Sequence, residues 1–516
     1  MPKSIIQSAL LVMIATLLGR AMGFIRTIFV SQAFGTSLEA SAYMLAFTIP
    51  NTLFTFLPGV MNAVFIPVLK GLYSSGNPLR ARVLFQKMLT ITTLIYLLLG
   101  VFIWIWADPI TGLIASGGSE ALKHLSAHLL RLMTPSLLFI VLLGLFSSTL
   151  NVHYYFVLPT LGTIINSLIV ILSLFFLVPS MGINGLAIGT TLGFAGGSLM
   201  MLPFILKEKY SLRPDWRWRD EDLITIGWRF IPILLGSFLT TMNEFIEKFL
   251  VAGFGDDKIA ALGYARQLVQ LPIALLFGAI VSHLYILLLD QIKGGKMEDT
   301  KQTLARSVTL MTLLFLPITV GIGILASPLV SLLFERGAFD ARSTQTTAIA
   351  LLLLGISLLP TVVKDLFTRV FYARDNTWIP VVLNVFQILF YILFSLLLIP
   401  RMGFGGVALG WSLASLMGAL LMGARLWREI GPFLGRSYLR SFFKGMTATF
   451  MTGIIVYSID SLLIGISASS FLRLVAGGGS GLLLYLFFLF VLKEENFLTY
   501  AGRLLRRKKT KEKMAP

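Results

Sequence analysis

Fourteen stretches of roughly twenty or more mostly apolar residues follow one another along this chain, and no connecting loop is long enough to fold as a separate domain. They cover 5–33, 41–69, 84–107, 122–150, 157–178 and 183–206, then 223–252, 260–289, 305–334, 345–372, 377–399 and 404–426, and last 440–464 and 470–492. Each is long enough to cross a bilayer as a helix, so the expected fold class is an all-α polytopic membrane protein. Composition agrees. Only 13% of the 516 residues are charged and mean hydropathy is +0.85, where a soluble chain carries about 25% charged residues. The segment after Met1–Ser4 has no small-residue cleavage site, so it is expected to be a first span rather than a removed signal peptide. The absence of cysteine excludes disulfides, cysteine-ligated zinc, iron–sulfur clusters and thiol nucleophiles.

The net charge of +18 would suggest nucleic acid in a soluble protein. Here it is dispersed. Of the 42 Lys and Arg, 28 fall in the N-terminus, alternate loops and the tail, against six in the opposite loops. The positive-inside rule then puts both termini in the cytoplasm, with no nucleic-acid partner. The tail Arg503–Lys513 reads as a solvated flank or a contact for anionic membrane lipids.

The chain also repeats itself. Val178-Pro-Ser-Met-Gly-Ile-Asn-Gly-Leu-Ala-Ile-Gly189 matches Ile399-Pro-Arg-Met-Gly-Phe-Gly-Gly-Val-Ala-Leu-Gly410 at an offset of 221 residues. The same offset pairs Pro159 with Pro380, Phe24 with Phe245 and Tyr43 with Tyr264. Matched prolines imply matched kinks. The expected organisation is an N-terminal lobe at 1–215 (spans 1–6), a C-terminal lobe at 216–430 (spans 7–12), two extra spans at 431–493 and a basic tail at 494–516. Parallel repeats of this kind hold substrate in a central cavity between pseudo-symmetric lobes.

Charges inside spans cost roughly 2.5–3.5 kcal/mol each on insertion scales, so they mark a wet path or a partner. The basic ones are Arg20, Arg26, Arg131, Arg229, Lys248, Arg266, Lys364 and Arg369, and the acids are Glu244, Glu247, Asp365 and Asp460. Arg131, Arg229 and Asp460 sit near span ends and read as structural. Glu244 with Lys248 and Asp365 with Arg369 are spaced i,i+4, which suits either neutralising intrahelical pairs or a gate. Arg20, Arg26 and Arg266 have no acid three or four residues away. Planar guanidinium forks suit phosphate, so these three are the candidate substrate-binding residues for an anionic, phosphorylated amphiphile. The 221 offset places Arg26 opposite Glu247, an expected pair in one conformational state. Ser41, Asn51 and Gln270 complete the candidate polar lining and gate with Glu244, Glu247, Lys248, Lys364, Asp365 and Arg369. Asn243, Glu244 and Asn384, near Gln387, form a candidate cation site.

Glu120, His124 and His128 share a helix face but lack a fourth ligand, so a polar span mouth is favoured over a metal site. Gly403-x-Gly405 and the glycines of Ala476–Gly481 follow no strand and are not nucleotide loops. With no Walker motif and no cofactor expected, the energy source is a coupling cation (sodium or proton), the membrane potential, substrate flow or a partner.

Gly19-Arg-Ala-Met-Gly-Phe-Ile-Arg26 resembles the start of the MviN/MurJ-type lipid II flippases, and so do Ile49-Pro-Asn51 through Phe65-Ile-Pro-Val68. Tyr264-Ala-Arg-Gln-Leu-Val-Gln-Leu-Pro272 and Leu332-Leu-Phe-Glu-Arg-Gly-Ala-Phe-Asp340 are similar to two further motifs of that family. The resemblance covers the whole chain and implies the multidrug/oligosaccharidyl-lipid/polysaccharide exporter superfamily. It implies a flippase, not an enzyme, in the bacterial cytoplasmic membrane. Its substrate would be a polyprenyl-diphosphate-linked glycan, moved by alternating access. Arg20, Arg26 and Arg266 would engage the diphosphate and sugar, 440–492 would hold the lipid tail, and cell-wall synthesis proteins would be partners. Three departures stand out. Thr27 follows the second arginine where many members have an acid, Ser41 replaces an acid, and Asn51-Thr-Leu-Phe-Thr55 is neutral. The alternatives are an exporter of teichoic, capsular or O-antigen units, a drug or cation antiporter, a polytopic glycosyltransferase and a scaffold for cell-wall enzymes. Short outer loops weigh against the transferase and three cavity arginines against the antiporter.

Overall fold

The computed structural model describes residues 3–217, 220–495 and 498. Within these, the side chains at 3–10, 56, 58, 229, 231–240, 279, 282 and 283 are not described. The Arg229 side chain, Arg219 and the basic tail 503–513 therefore lie outside the described residues. Among the described residues the chain is helical throughout, with no strand.

The first spans are α1 (Lys3–Phe34), α2 (Leu38–Ser74) and α3 (Pro78–Ile105) with α4 (Ala107–Ile114). Next come α5 (Glu120–Met133) with α6 (Ser136–Val152), α7 (Val157–Phe176) with α8 (Val178–Met181), and α9 (Ile183–Leu199) with α10 (Leu202–Lys207). α11 (Glu221–Val251) is followed by α12 (Lys258–Pro272), which runs through a π turn at Ile273–Phe277 into α13 (Gly278–Lys293). The later spans are α14 (Met297–Ile324) with α15 (Ala326–Phe334), α16 (Ala341–Gly355) with α17 (Leu358–Ala373), α18 (Trp378–Met402), α19 (Phe404–Ile430), α20 (Arg436–Gly465) and α21 (Ser470–Val491). Each of the fourteen apolar stretches thus meets a helix or a broken helix. Among the described residues, eleven helices are long and apolar enough to cross a membrane, or thirteen counting the two bent pairs as spans, and α11 occupies the remaining stretch. Leu97, Val101, Phe102, Leu482, Leu483 and Phe487 are exposed on α3 and α21, an apolar surface suited to lipid and not to water.

Backbone geometry carries the repeat. Gly182 has φ 56° and ψ −138°, and Gly403, 221 residues on, has φ 56° and ψ −134°. Positive φ is why glycine stands at both. Three residues later a Cβ on Gly185 would lie 2.7 Å from the Leu177 carbonyl carbon, and one on Gly406 2.7 Å from that of Leu398. The breaks at Trp106 and Leu325 share φ −96° and ψ 18°. The α5–α6 pair bends by 48° and α16–α17 by 43°.

The chain forms two compact units, residues 1–260 with 336–340, and 261–335 with 341–516. The first boundary lies at Ala260 and not at 215, because α11 packs along α2, α3 and α4. Spans 13 and 14 belong to the second unit, where α20 and α21 pack on α14. Tyr485 donates to the Leu313 carbonyl at 2.7 Å there.

In the first unit the loop after α10 is stapled to α3. Lys87 is 6% exposed and paired with Asp220. Arg80 pairs with Asp222 at 2.8 Å, and the Asp215 amide donates to Thr90 Oγ1 at 2.9 Å. Side-chain and backbone hydrogen bonds from Arg217 hold the Asp215 carboxyl down at about 2, from 3.8. A lowered carboxyl pKa stabilises the folded loop fully above pH 3.8, and the contribution is lost as pH falls through about 2. Pepsin cleavage between Glu208 and Asp220 is therefore expected to stay low through that window and rise only toward its acid end. Arg217→Ala should move the onset upward; an unchanged onset would contradict the staple.

Candidate functional site

The first unit holds Arg20 and Arg26 on α1, six residues and so about 120° apart around the helix axis. Close packing of α1 on α7 fixes this helix: a Cβ on Gly19 would meet Thr163 Oγ1 at 3.2 Å. Arg20 is exposed. Arg26 is half-buried, donates from Nη1 to Asn166 Oδ1 on α7 at 3.4 Å, and lies over the Phe47 ring at 5.8 Å. Asn166 is buried behind it, and Tyr43 beside it hydrogen-bonds Thr190 at 2.8 Å. The contacts holding Arg26 are thus an amide and an aromatic face. A guanidinium held by a neutral oxygen keeps its full charge for a ligand.

Ser41 was expected to line the cavity. It is fully buried, and its Oγ accepts from the Ala260 amide at 3.1 Å, where it supplies a partner to a helix start. Asn51 is half-buried on α2. On α11, Asn243, Glu244 and Lys248 are half-buried and Glu247 is buried at 4% exposure. Glu244 acts on Lys248 through space one turn on, but the two form no close ion pair.

In the second unit Arg266 is half-buried, with its guanidinium over the Trp411 ring at 5.0 Å. Trp411 in turn packs edge-on against buried Tyr391 at 5.4 Å. This stack aims a planar cation while keeping it charged. Gln270, a turn later on α12, is exposed. Lys364, Asp365 and Arg369 share α17, and Arg369 lies over Tyr285 at 6.0 Å. Asp365 meets Lys364 and Arg369 through space only.

The residues of the candidate cation site are divided between the two units. Asn243 and Glu244 belong to the first unit and Asn384 to the second. The Asn384 oxygen is already taken by the Lys364 ammonium at 3.2 Å. Among the described residues no group of His, Cys, Asp and Glu could hold a metal ion. His124 stands 3.9 Å from both Glu120 and Asp108, in a polar mouth.

Two of the charges read as structural, Arg131 and Asp460, have protein partners. Arg131 pairs with Asp108 and donates to the Trp104 carbonyl at 3.2 Å. Asp460 accepts two hydrogen bonds from Arg473 at 2.8 Å, tying α20 to α21. An apolar groove of about 470 Å³ runs between α14, α20 and α21, past Pro317, Gly321, Gly453, Gly477, Gly481 and Tyr485. Glycines make it: small residues on both extra spans leave room where side chains would close it. Sequence reasoning missed Asn166, Trp411 and Gln387 as partners of the span charges. The signal was there for two of them, since Asn166 and Gln387 are related by the 221 offset.

The Arg336–Asp340 segment belongs to the first unit. The Ala338 amide donates to the Gln32 carbonyl at 2.9 Å. Gly337 at φ 60° and Gly35 at φ 54° permit this approach, because a Cβ on Gly35 would lie 2.2 Å from the Ala338 oxygen.

A family model described as lipid II flippase MurJ matches residues 30–476. A probable lipid II flippase MurJ of Vibrio cholerae is 26% identical, covering 89% of this chain and 90% of the relative. One of Thermotoga maritima is 25% identical, covering 95% and 98%. Among solved structures, a lipid II flippase MurJ in an inward closed conformation superposes with TM-score 0.78 at 24% identity, covering 93% of this chain and 98% of that one. An inward-facing multidrug resistance MATE transporter of the MOP superfamily follows the same fold with TM-score 0.67 at 15% identity, covering 82% and 98%.

Proposed function

The chain belongs to the lipid II flippase MurJ family, and from this premise we propose that it moves lipid-linked peptidoglycan precursor from the inner to the outer leaflet of the bacterial cytoplasmic membrane. The observation that carries this is the match to the family model over residues 30–476. In this reading Arg20, Arg26 and Arg266 bind the diphosphate and the first sugars, where planar forks meet phosphate oxygens in pairs. The apolar groove on α14, α20 and α21 keeps the polyprenyl chain in a hydrocarbon-like surface while the headgroup crosses. Loop charges support cytoplasmic termini. The protein works as a transporter, exposing its cationic site to the two sides in turn, without an ATPase of its own.

Depletion in the native cell tests this. Lipid II should accumulate on the inner leaflet while its synthesis continues. Accumulation of a teichoic, capsular or O-antigen precursor with normal lipid II turnover would replace this reading with the corresponding exporter.

A further inference from the structure

The Lys364 ammonium sits in a place built for a cation. Nζ donates to Gln387 Oε1 at 2.8 Å and to Asn384 Oδ1 at 3.2 Å. Asn384 and Gln387 are three residues apart on α18, so both amides reach the same face of the helix. Lysine offers only donors, so both amide oxygens must point at it. Gln387 is 3% exposed, and α19 fixes it from behind. Its Nε2 donates to Ser415 Oγ at 3.5 Å, and Gly418 leaves the space it fills, since a Cβ there would lie 2.7 Å from Oε1. Asp365 lies next in sequence and Arg369 one turn on, both within electrostatic reach. Convergent amide oxygens are ligands that a hard cation takes.

We propose that Lys364 is a tethered cation: its ammonium permanently fills a seat formed by the amide oxygens of Asn384 and Gln387 that otherwise admits sodium. The second unit then carries covalently the charge that a gradient-driven transporter binds and releases. Sodium has no role at this seat while the lysine is present. Removing the side chain leaves the oxygens and a space, so the truncated variant acquires a sodium site that the wild type lacks.

The test uses the full chain in lipid nanodiscs and compares melting midpoints in sodium chloride and in choline chloride at equal ionic strength. It needs no knowledge of the transported glycan. Lys364→Ala is expected to melt several degrees below wild type in choline and to recover saturably with sodium, beyond any response of the wild type. Adding Asn384→Leu should remove that extra response. Lys364→Met, which fills the seat with an uncharged chain, should melt low in both salts. A Lys364→Ala response equal to that of the wild type overturns the proposal, and so does an extra response that survives Asn384→Leu. If Lys364→Ala is recovered folded only when purified in sodium, that too is the expected result, whereas failure in both salts counts against it.

Discussion

Arg266→Glu is expected to reduce outward transfer of lipid-linked precursor about a hundredfold at unchanged protein level. Two charge-assisted hydrogen bonds to phosphate contribute about 1.5–3 kcal/mol each, and losing them alone reaches this size before repulsion is counted. The side chain is aimed by stacking on Trp411 at 5.0 Å, so a carboxylate there would face the diphosphate with like charge. Arg266→Lys keeps the charge but loses the fork and the stack, and should lose about tenfold. Arg20→Glu should resemble Arg266→Glu, and because Arg20 is exposed the change should leave the fold intact. A leaflet-resolved assay of labelled precursor reads these changes. Undiminished transfer in both reversals would remove the arginines from the site.

Gly410→Leu is expected to destroy the folded second unit, by about 3 kcal/mol or more. A Cβ at Gly410 would lie 2.4 Å from Ser395 Oγ and 2.9 Å from the Ser395 backbone nitrogen, and backbone cannot step aside. Ser395 and the neighbouring Tyr391 are fully buried, so α18 and α19 would have to separate. Gly71→Leu is the matched control, because a Cβ there meets nothing within 4 Å. It should stay within about 0.5 kcal/mol of wild type. Thermal melting of the two variants in the same nanodiscs gives the comparison, and equal midpoints would contradict the packing described for α18 and α19.

The spans were legible because lipid leaves a one-dimensional trace: every crossing needs an unbroken apolar run. The repeat was legible because Gly182 and Gly403 stand where a positive φ excludes other residues, and sequence keeps such positions. Contacts between distant residues leave no such trace. Arg26 and Asn166 are 140 residues apart, and nothing near Arg26 announces an amide partner. Lys87 and its partner Asp220 are likewise far apart, at 133 residues. The lobe boundary shifted for the same reason: α11 is the repeat-mate of α1, yet it packs with α2. Ser41 shows the limit for single polar residues, since a hydroxyl at a span start serves a helix end as readily as a substrate. The arginines were picked out by the cost of placing them in a span, and the structure adds what holds Arg26 and Arg266.

The most direct measurement is transfer of lipid II across liposomes containing only this protein. Fluorescent lipid II is placed in one leaflet, and its arrival in the other is followed by a membrane-impermeant reagent, beside protein-free and Arg266→Glu vesicles. The account predicts transfer with the wild-type chain and near-background transfer with Arg266→Glu. Wild-type vesicles that leave lipid II where it was placed, while passing a polyprenyl-diphosphate carrying a different glycan, would contradict it.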